Sequence, residues 1–334
     1  MYNGRRSDYD VTNTVRVSSA ADVRDAILAL YVSTWPGADF TPVARASRDC
    51  EQAFAGHMPG YFGVDTIYHD QQHTLDVTLA MARLLAGYER THAGTPQALG
   101  AERAAVGLLL ALFHDIGYLR VHGEEATNGA EFTRTHVSRS ARFMERYLPK
   151  VGLGHWTRLT SEIVHYTGYE KSFEQIGRIV TDPRDVQLGH LLGTADLIAQ
   201  MADRCYLEKC RDRLYPEFVL GGVAVPLGTG GRGMKYASGL DLLRQTPTFV
   251  GEMRSKRLEA GFHHAYRYIE PLFEGRNPYI EAIDSSMGFL HRVLRSESWR
   301  LLRRSPQVFA AQNDTLSAVR SQMVGYFRKA WTPK

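Results

Sequence analysis

The sequence predicts an all-α fold. Across most of its 334 residues, apolar side chains recur at intervals of three and four, as on one face of a helix, and the alternation typical of strands is scarce. Hydrophobic residues make up 44% and charged residues 23% of the chain, proportions that are typical of folded globular proteins and argue against extensive disorder. Proline and glycine separate the helical segments, for example at Pro36-Gly37 and Pro59-Gly60.

Nine helices follow from this periodicity in chain order. Their expected ranges are 20–33, 42–55, 67–89, 101–116, 126–148, 156–166, 184–213, 239–273 and 312–330. The charged sequence after Asp196 keeps apolar residues at every third or fourth position, so we expect it to continue one long helix. Between Gly221 and Gly233, six glycines and one proline exclude a helix and favour a mobile loop or short hairpin. This segment would be either a plain connector or a lid or phosphate-contacting loop.

We expect three parts along the chain. Residues 1–60 would form an N-terminal helical extension, and residues 61–215 a central domain that contains the residues suited to chemistry. Residues 216–334 would contribute the glycine-rich loop and a C-terminal helical region packed on the central domain. No recognisable motif lies beyond about Asp241, so this last part is expected to form a pocket wall, a surface for homo-oligomer formation, or both.

Composition argues against several classes of protein. The net charge of +4 is small and its positive residues are spread along the chain, so nucleic-acid binding is not indicated, and the basic run from His291 to Arg304 is ordinary for an amphipathic helix. The longest apolar run, Ala104 to Phe113, is too short to span a membrane, and the first thirty residues lack a signal pattern, which predicts a cytoplasmic protein. The three cysteines form no recognisable framework and are expected to be reduced and buried.

Two short stretches are candidates for a metal site. In YHDQQHTLDV, residues 68–77, a helix would place His69, His73 and Asp76 on one polar stripe. In LLLALFHDIGY, residues 108–118, an apolar helix runs directly into His114-Asp115. Ionisable groups are costly to bury unless they are paired or bound to metal, so the second stretch suggests metal ligands at the end of a core helix. Taken alone, a His-Asp dipeptide is common and more often has a capping or surface role.

The order of these residues resembles a known family. His73, then His114-Asp115, then Asp196 within LLGTADLIAQMADR is similar to the H…HD…D pattern of the HD-domain superfamily of metal-dependent phosphohydrolases, over residues 65 to 215. Residues 68–77 also resemble the YHNxxHAxDV signature of 3′,5′-cyclic-nucleotide phosphodiesterases within that superfamily, although Asp70 replaces the usual Asn and Thr74 the usual Ala. The resemblance implies an HD-domain helical bundle with extra N- and C-terminal helices.

The same resemblance implies a pair of metal ions, whose identity among iron, manganese, zinc, cobalt and magnesium the ligand types do not decide. Such a pair activates water at neutral pH and neutralises the oxygens of an attacked phosphate. Asp115 would bridge the two ions. The ligands implied in this way are His73, His114, Asp115, His136, His165 and Asp196. Relatives that bind a single metal ion lack counterparts of His136 and His165. His155 and His190 are therefore alternatives to these two as ligands.

Further residues receive roles from this resemblance. His69 would protonate the leaving oxygen, because histidine readily exchanges protons near neutral pH. Asp76 would either accept the N–H of a ligand histidine and fix its tautomer, or form a local pair or cap. Tyr68 and Gln200 would lie where they either line a substrate pocket or serve in packing. Arg204 would either reach a substrate phosphate or lie on a solvated helix face.

The implied activity is hydrolysis of a phosphoester or phosphodiester in a small molecule, most naturally a nucleotide or cyclic nucleotide. Two alternatives remain open from the sequence. The six-ligand set also resembles the mixed-valent diiron oxygenases built on the HD fold, of the myo-inositol oxygenase type, and a ligand-sensing module without catalysis would keep the same pattern. His69 favours the hydrolase, because an acid beside the metals suits protonation of a leaving group.

Overall fold

The computed structural model describes residues 4–227, 232–311 and 314–331. Within these ranges the chain forms thirteen α-helices and no β-strand, which confirms the all-α fold. The helices, α1 to α13 in chain order, are Ala20–Thr34, Thr41–Phe54, Gln71–His92, Gly100–Phe113, His136–Tyr147, Thr157–Ile163, Phe173–Gly177, Pro183–Ala202, Tyr206–Lys209, Tyr215–Leu220, Gly239–Glu252, Pro278–Ser296 and Thr315–Trp331. Short 3-10 and π-helical turns connect many of them.

Helix α3 lies at the centre of the fold. It packs against α1, α4, α8 and the 3-10 turn Ala265–Leu272, and most of its side chains are buried. A Cβ atom at Gly87 would overlap the carbonyl oxygen of Tyr268, so glycine allows this close approach. One continuous hydrophobic core includes side chains from all three expected parts of the chain. The expected boundaries between these parts, at residues 60 and 215, stay predictions.

The N-terminal segment is attached to α3 by a buried ion pair. Asp10 accepts a hydrogen bond from Arg83 at 2.7 Å, and both side chains are almost completely buried. The remaining oxygen sites of Asp10 accept backbone N–H groups of Thr12, Thr14 and Val15. Burial opposes the charged form of Asp10, but the charge of Arg83 and these hydrogen bonds lower its pKa to about 2.

The expected helix 184–213 is interrupted. Helix α8 ends at Ala202, and Asp203 is extended, with a ψ of 134°. The Asp203 carboxylate accepts the backbone N–H of Cys205 at 2.7 Å and contacts Lys209 Nζ at 2.5 Å. An aspartate that caps the next turn in this way competes with continuation of the helix, so the prediction of one long helix was wrong.

The expected helix 239–273 is also divided. Helix α11 ends at Glu252, a π-helix continues to Gly261, and a separate 3-10 turn follows from Ala265 to Leu272. Helix α12, Pro278–Ser296, was not predicted, although Asn277 caps its start with two hydrogen bonds and proline occupies its first position. Helical residues in the basic run 291–304 therefore extend only to Ser296, apart from one short 3-10 turn.

An extended segment, residues 302–310, follows that turn and contacts the elements that carry the candidate site. Arg213 donates to the carbonyl groups of Pro306 and Gln307, and Phe309 N donates to Asp70 Oδ2 at 3.2 Å. These backbone groups find partners outside their own segment, so a helix is not needed to satisfy them.

Other boundaries differ from expectation by up to ten residues. Helix α4 ends at Phe113 rather than at residue 116, and α5 begins at His136, with a 3-10 turn in place of the start expected at residue 126. Within the glycine-rich segment 221–233, residues 228–231 lie outside the described residues, and those described are not helical. Residues 312–313 of the last expected helix also lie outside the described ranges.

The three cysteines are buried and form no disulfide, as predicted. Among the helices that the structure describes, none combines the length and apolar character required to cross a lipid bilayer.

We predict that Asp10→Asn lowers the free energy of unfolding by about 3–5 kcal/mol, because it leaves the buried Arg83 without a counter-charge. Urea denaturation at pH 7 measures the loss, and Asp25→Asn at an exposed position should change little. The Asp10 pKa is lower in the folded chain than in the unfolded one, so its contribution is complete above about pH 4 and is lost as the pH falls towards 2. An equal effect of both variants would contradict the stabilising role of the ion pair.

Candidate metal centre

Five helical elements carry the six predicted ligands. His73 lies in the first turn of α3, His114 and Asp115 directly follow α4, and Asp196 lies in α8. The two remaining ligands are His136, the first residue of α5, and His165, in the 3-10 turn Val164–Thr167. All are buried except His136, which is partly exposed.

His73, His114 and Asp196 form a compact donor group. One ligand atom of each residue lies within 4.8 Å of the corresponding atoms of the other two. The Nε2 atom of His73 is 3.5 Å from Asp196 Oδ1, and that of His114 is 3.9 Å from the same oxygen. Metal–ligand bonds of about 2.0–2.2 Å place neighbouring donor atoms roughly 3–4 Å apart, so these three atoms can share one ion.

Asp115 faces histidines with both of its oxygens. Oδ2 is 3.3 Å from His73 Nε2 and 3.1 Å from His114 Nε2, whereas Oδ1 is 3.5 Å from His136 Nε2. One carboxylate therefore stands between the His73 and His114 rings on one side and the His136 ring on the other, and each side is approached by a different oxygen.

The tautomers of two ligands are set by backbone carbonyl groups. His114 Nδ1 lies 2.8 Å from the carbonyl oxygen of Ala111, and His136 Nδ1 lies 2.9 Å from that of Thr133. A carbonyl oxygen only accepts hydrogen bonds, so both Nδ1 atoms carry hydrogen and both Nε2 atoms offer a lone pair when the ring is neutral. This outer hydrogen bond is typical of histidines that bind metal.

Two ring nitrogens in the centre have no hydrogen-bond partner among the described residues. They are His114 Nε2 and His165 Nδ1, and both are buried. Burying an unsatisfied polar atom costs about 1–3 kcal/mol, which argues that such atoms serve a purpose. The Nε2 atom of His114 points into the donor group, so a metal ion fits the residues that are present here.

The electrostatics of the centre favour a cation. Burial opposes protonation of His73, but its hydrogen bonds to Asp115 and Asp196 and the charges of these carboxylates raise its pKa to about 10. Burial also disfavours the charged form of Asp115, yet the charge of His114 and the close contacts of its carboxylate with the His114 and His73 rings lower its pKa well below the usual range. The two carboxylates therefore attract positive charge to the point between them.

His136 and His165 behave differently. Burial lowers the pKa of His136, which outweighs the opposing charge of Asp115. Burial also lowers the pKa of His165, and the nearby charge of Lys171 acts in the same direction. Both rings are therefore neutral at pH 7, which is the form in which imidazole binds metal.

His69 lies outside α3, contrary to the single helical stripe expected for residues 69, 73 and 76. Asp70 is the N-cap of α3 and accepts the backbone N–H of His73 at 3.1 Å, so His69 belongs to the preceding turn. Its ring nevertheless lies near the donor group, with its centroid 5.7 Å from that of His73 and 6.3 Å from that of His136.

Glu217 holds this turn in place, and sequence reasoning missed it. Its Oε1 accepts the backbone N–H groups of Ile67, Tyr68 and His69 at 2.6, 2.5 and 3.3 Å. Its Oε2 lies 2.6 Å from His69 Nδ1, and the Glu217 side chain is only 1% exposed. A buried carboxylate in α10 thus fixes both the backbone and the ring orientation of His69.

Tyr118 is a second residue that the sequence did not single out. Its ring is stacked between His69 and His136, with centroid distances of 4.4 Å to each. The only signal in the sequence was its position three residues after Asp115, at the end of LLLALFHDIGY. Glu217 offered a weaker signal, an acidic residue within the otherwise apolar YPEFVL.

Asp76 makes no hydrogen bond to a histidine within the described part of the chain. It lies instead near Asp203, Lys209 and Arg5. Burial and the charge of Asp203 raise its pKa to about 8, while Lys209 contacts Asp203 and lowers the pKa of that carboxyl. At neutral pH, Asp203 is therefore ionised and Asp76 retains its proton.

The three predicted pocket residues separate into two places. Tyr68 donates a hydrogen bond to Gln200 Oε1 at 3.3 Å, and its ring centroid is 6.1 Å from that of His73. Arg204 donates instead to the carbonyl oxygen of Arg5 at 3.3 Å, in the N-terminal segment. Tyr68 and Gln200 are thus beside the candidate centre, whereas Arg204 binds another part of the fold.

The alternative histidines lie elsewhere. The side chain of His155 is 61% exposed and pairs with Glu102. His190 is packed against Tyr166, Phe262 and His263, and burial lowers its pKa to about 4.

Comparison of the chain with protein-family models, with curated proteins and with solved structures found no match.

We predict that the purified chain binds a transition metal and that His114→Ala weakens this binding at least about tenfold, because the variant removes one ligand of the donor group. Elemental analysis after gel filtration measures the bound metal. His155→Ala is the matched control at an exposed histidine and should retain the wild-type content. Equal metal content in both variants would contradict the assignment.

Proposed function

We propose that the chain is a metal-dependent phosphohydrolase or phosphodiesterase of the HD type, with two metal ions bridged by Asp115. The observation that carries this proposal is the position of the Asp115 carboxylate. Oδ2 approaches His73 and His114, Oδ1 approaches His136, and the two distances to the first group are 3.3 and 3.1 Å. A carboxylate shared by two imidazole groups is the arrangement that a bridging ligand requires.

The ligands divide between the two ions in a simple way. His73, His114 and Asp196 would hold the first ion, since their donor atoms already lie within 4.8 Å of one another. His136 and the buried His165 would hold the second ion. Two bound ions would supply a water-derived nucleophile at neutral pH and positive charge against the phosphoryl oxygens.

His69 is suited to protonate the leaving oxygen. Its Nδ1 is occupied by Glu217 at 2.6 Å, so its Nε2 remains the atom that can transfer a proton to a substrate. The Glu217 carboxylate balances positive charge on the ring and holds its orientation, as a catalytic acid requires. The ring of Tyr118 is stacked on the ring of His69 with an interplanar angle of 16°, which helps to hold the His69 ring in its orientation.

Access to the centre is consistent with this role. The side chains of His69 and His136 are 16% and 15% exposed, whereas that of His114 is completely buried. A substrate would therefore reach the centre on the side of His69 and His136, with His114 forming the closed side. The acid and the approach of the substrate then lie on the same side.

A nucleotide or cyclic nucleotide is the proposed substrate class because residues 68–77 resemble the phosphodiesterase signature. The hydrogen-bonded pair of Tyr68 and Gln200 lies beside His73 and offers polar atoms to a substrate base or sugar. The same ligand set would also serve an HD-type diiron oxygenase or a ligand-sensing module. His69, with its dedicated carboxylate Glu217, favours hydrolysis over both.

We predict that His69→Gln lowers kcat for an alkyl or unactivated aryl phosphodiester by about 10²-fold or more, because it removes the proton donor. The loss should be much smaller for bis(p-nitrophenyl) phosphate, whose leaving group departs without protonation. Steady-state kinetics on both substrates measures the difference, and bound metal should stay at the wild-type level.

Glu217→Gln is the companion variant for this test. It should shift the pH dependence of kcat while metal binding persists, because Glu217 acts through His69. His155→Gln serves as the matched control. If His69→Gln loses the same factor in kcat on activated and unactivated substrates, proton donation by this residue is contradicted. If the wild-type chain hydrolyses neither substrate, the proposed activity is contradicted.

A further inference from the structure

A second concave site lies outside the candidate metal centre. It is a cavity of about 210 Å³ between α5 and the segment that follows Asp115, residues 116–124. None of the six candidate metal ligands lines it. A water molecule needs only about 10–15 Å³ of such space, so the cavity can hold a small molecule.

Three arginines of α5 line this cavity. Arg139, Arg142 and Arg146 are spaced by three and four residues, which places them on one face of the helix. Like charges at this spacing repel each other. The single acidic residue of α5, Glu145, is exposed and does not line the cavity.

Arg139 is already occupied by partners. It contacts Glu124 through two hydrogen bonds, at 2.6 and 3.0 Å, and it donates to the carbonyl oxygens of Gly117 and Leu119. The hydrogen bonds from Arg139 lower the pKa of Glu124, so this carboxylate is charged and compensates Arg139. Among the residues that the structure describes, Glu124 is the only acidic side chain that lines the cavity.

The other two guanidinium groups have little compensation. Arg142 is exposed and has no hydrogen-bond or ion-pair partner among the residues that the structure describes. Within the described ranges, the one hydrogen bond of the Arg146 side chain goes to the hydroxyl group of Tyr61, at 3.2 Å, which carries no charge. The cavity therefore presents two uncompensated positive charges in a concave setting.

We propose that this cavity binds a small phosphate-bearing anion, with Arg142 and Arg146 as its direct ligands and Arg139 as a positioning residue. The planar guanidinium group offers paired N–H donors that match two phosphate oxygens, and charge-assisted hydrogen bonds are among the strongest in proteins. The concave shape and limited volume favour a small molecule over a polymer. This inference does not depend on the proposed function of the metal centre.

Isothermal titration of the full-length chain with inorganic phosphate, pyrophosphate and a nucleoside monophosphate tests the proposal. The double variant Arg142→Gln/Arg146→Gln should weaken binding about tenfold or more, because two charge-assisted contacts are lost. The matched control is Arg90→Gln/Arg295→Gln, which removes two exposed arginines from other helices. Anion binding at the metal centre does not involve these arginines, so only the part lost in the double variant belongs to the cavity.

Arg142→Lys keeps the charge but loses the planar fork, and it should bind more weakly than the wild type. The preferred ligand among the three probes distinguishes a free phosphate from a phosphorylated small molecule. Two results would overturn the proposal: no binding of any of the three probes by the wild type, or equal binding by the double variant and its control.

Discussion

The structure depends most on how two buried carboxylates are compensated. Asp115 and Asp196 lie at the junction of α3, α4 and α8, where unpaired negative charge would cost several kcal/mol. Imidazoles surround them, and the pKa of His73 is raised to about 10 despite its burial. Such a concentration of ionisable groups has no advantage over apolar packing in a core, and its buried His73, His114 and Asp196 form a group that could hold a metal ion.

The surrounding fold keeps these groups in position. α3 is fixed by contacts on nearly every side, and the buried Asp10–Arg83 pair fastens the N-terminal segment to it. From the other end of the chain, α10 supplies Glu217 to the turn that carries His69. The extended segment 302–310 reaches Asp70, the cap of α3. Residues far apart in sequence thus hold His69, the candidate proton donor, beside the candidate metal ligands.

Sequence reasoning identified much of the site because its ligands are rare residue types in an ordered pattern. His73, His114 and Asp196 do converge, and the helical periodicity predicted the all-α class correctly. Contacts between distant segments carry no such local signal. Glu217 was missed for this reason, and His69 was placed within a helix because the capping role of Asp70 was not recognised. The break at Asp203 was likewise decided by a side-chain cap that outweighed helical periodicity.

The proposed metal pair is tested most directly by the number of bound ions and their position relative to Asp115. Anomalous diffraction from crystals of the manganese- or iron-loaded chain locates these ions independently of any assay. We expect two peaks about 3.5–4 Å apart. One should lie on the side of His73, His114 and Asp196, and the other on the side of His136 and His165. A single peak, or the absence of any peak near the Asp115 carboxylate, would contradict the proposed metal pair.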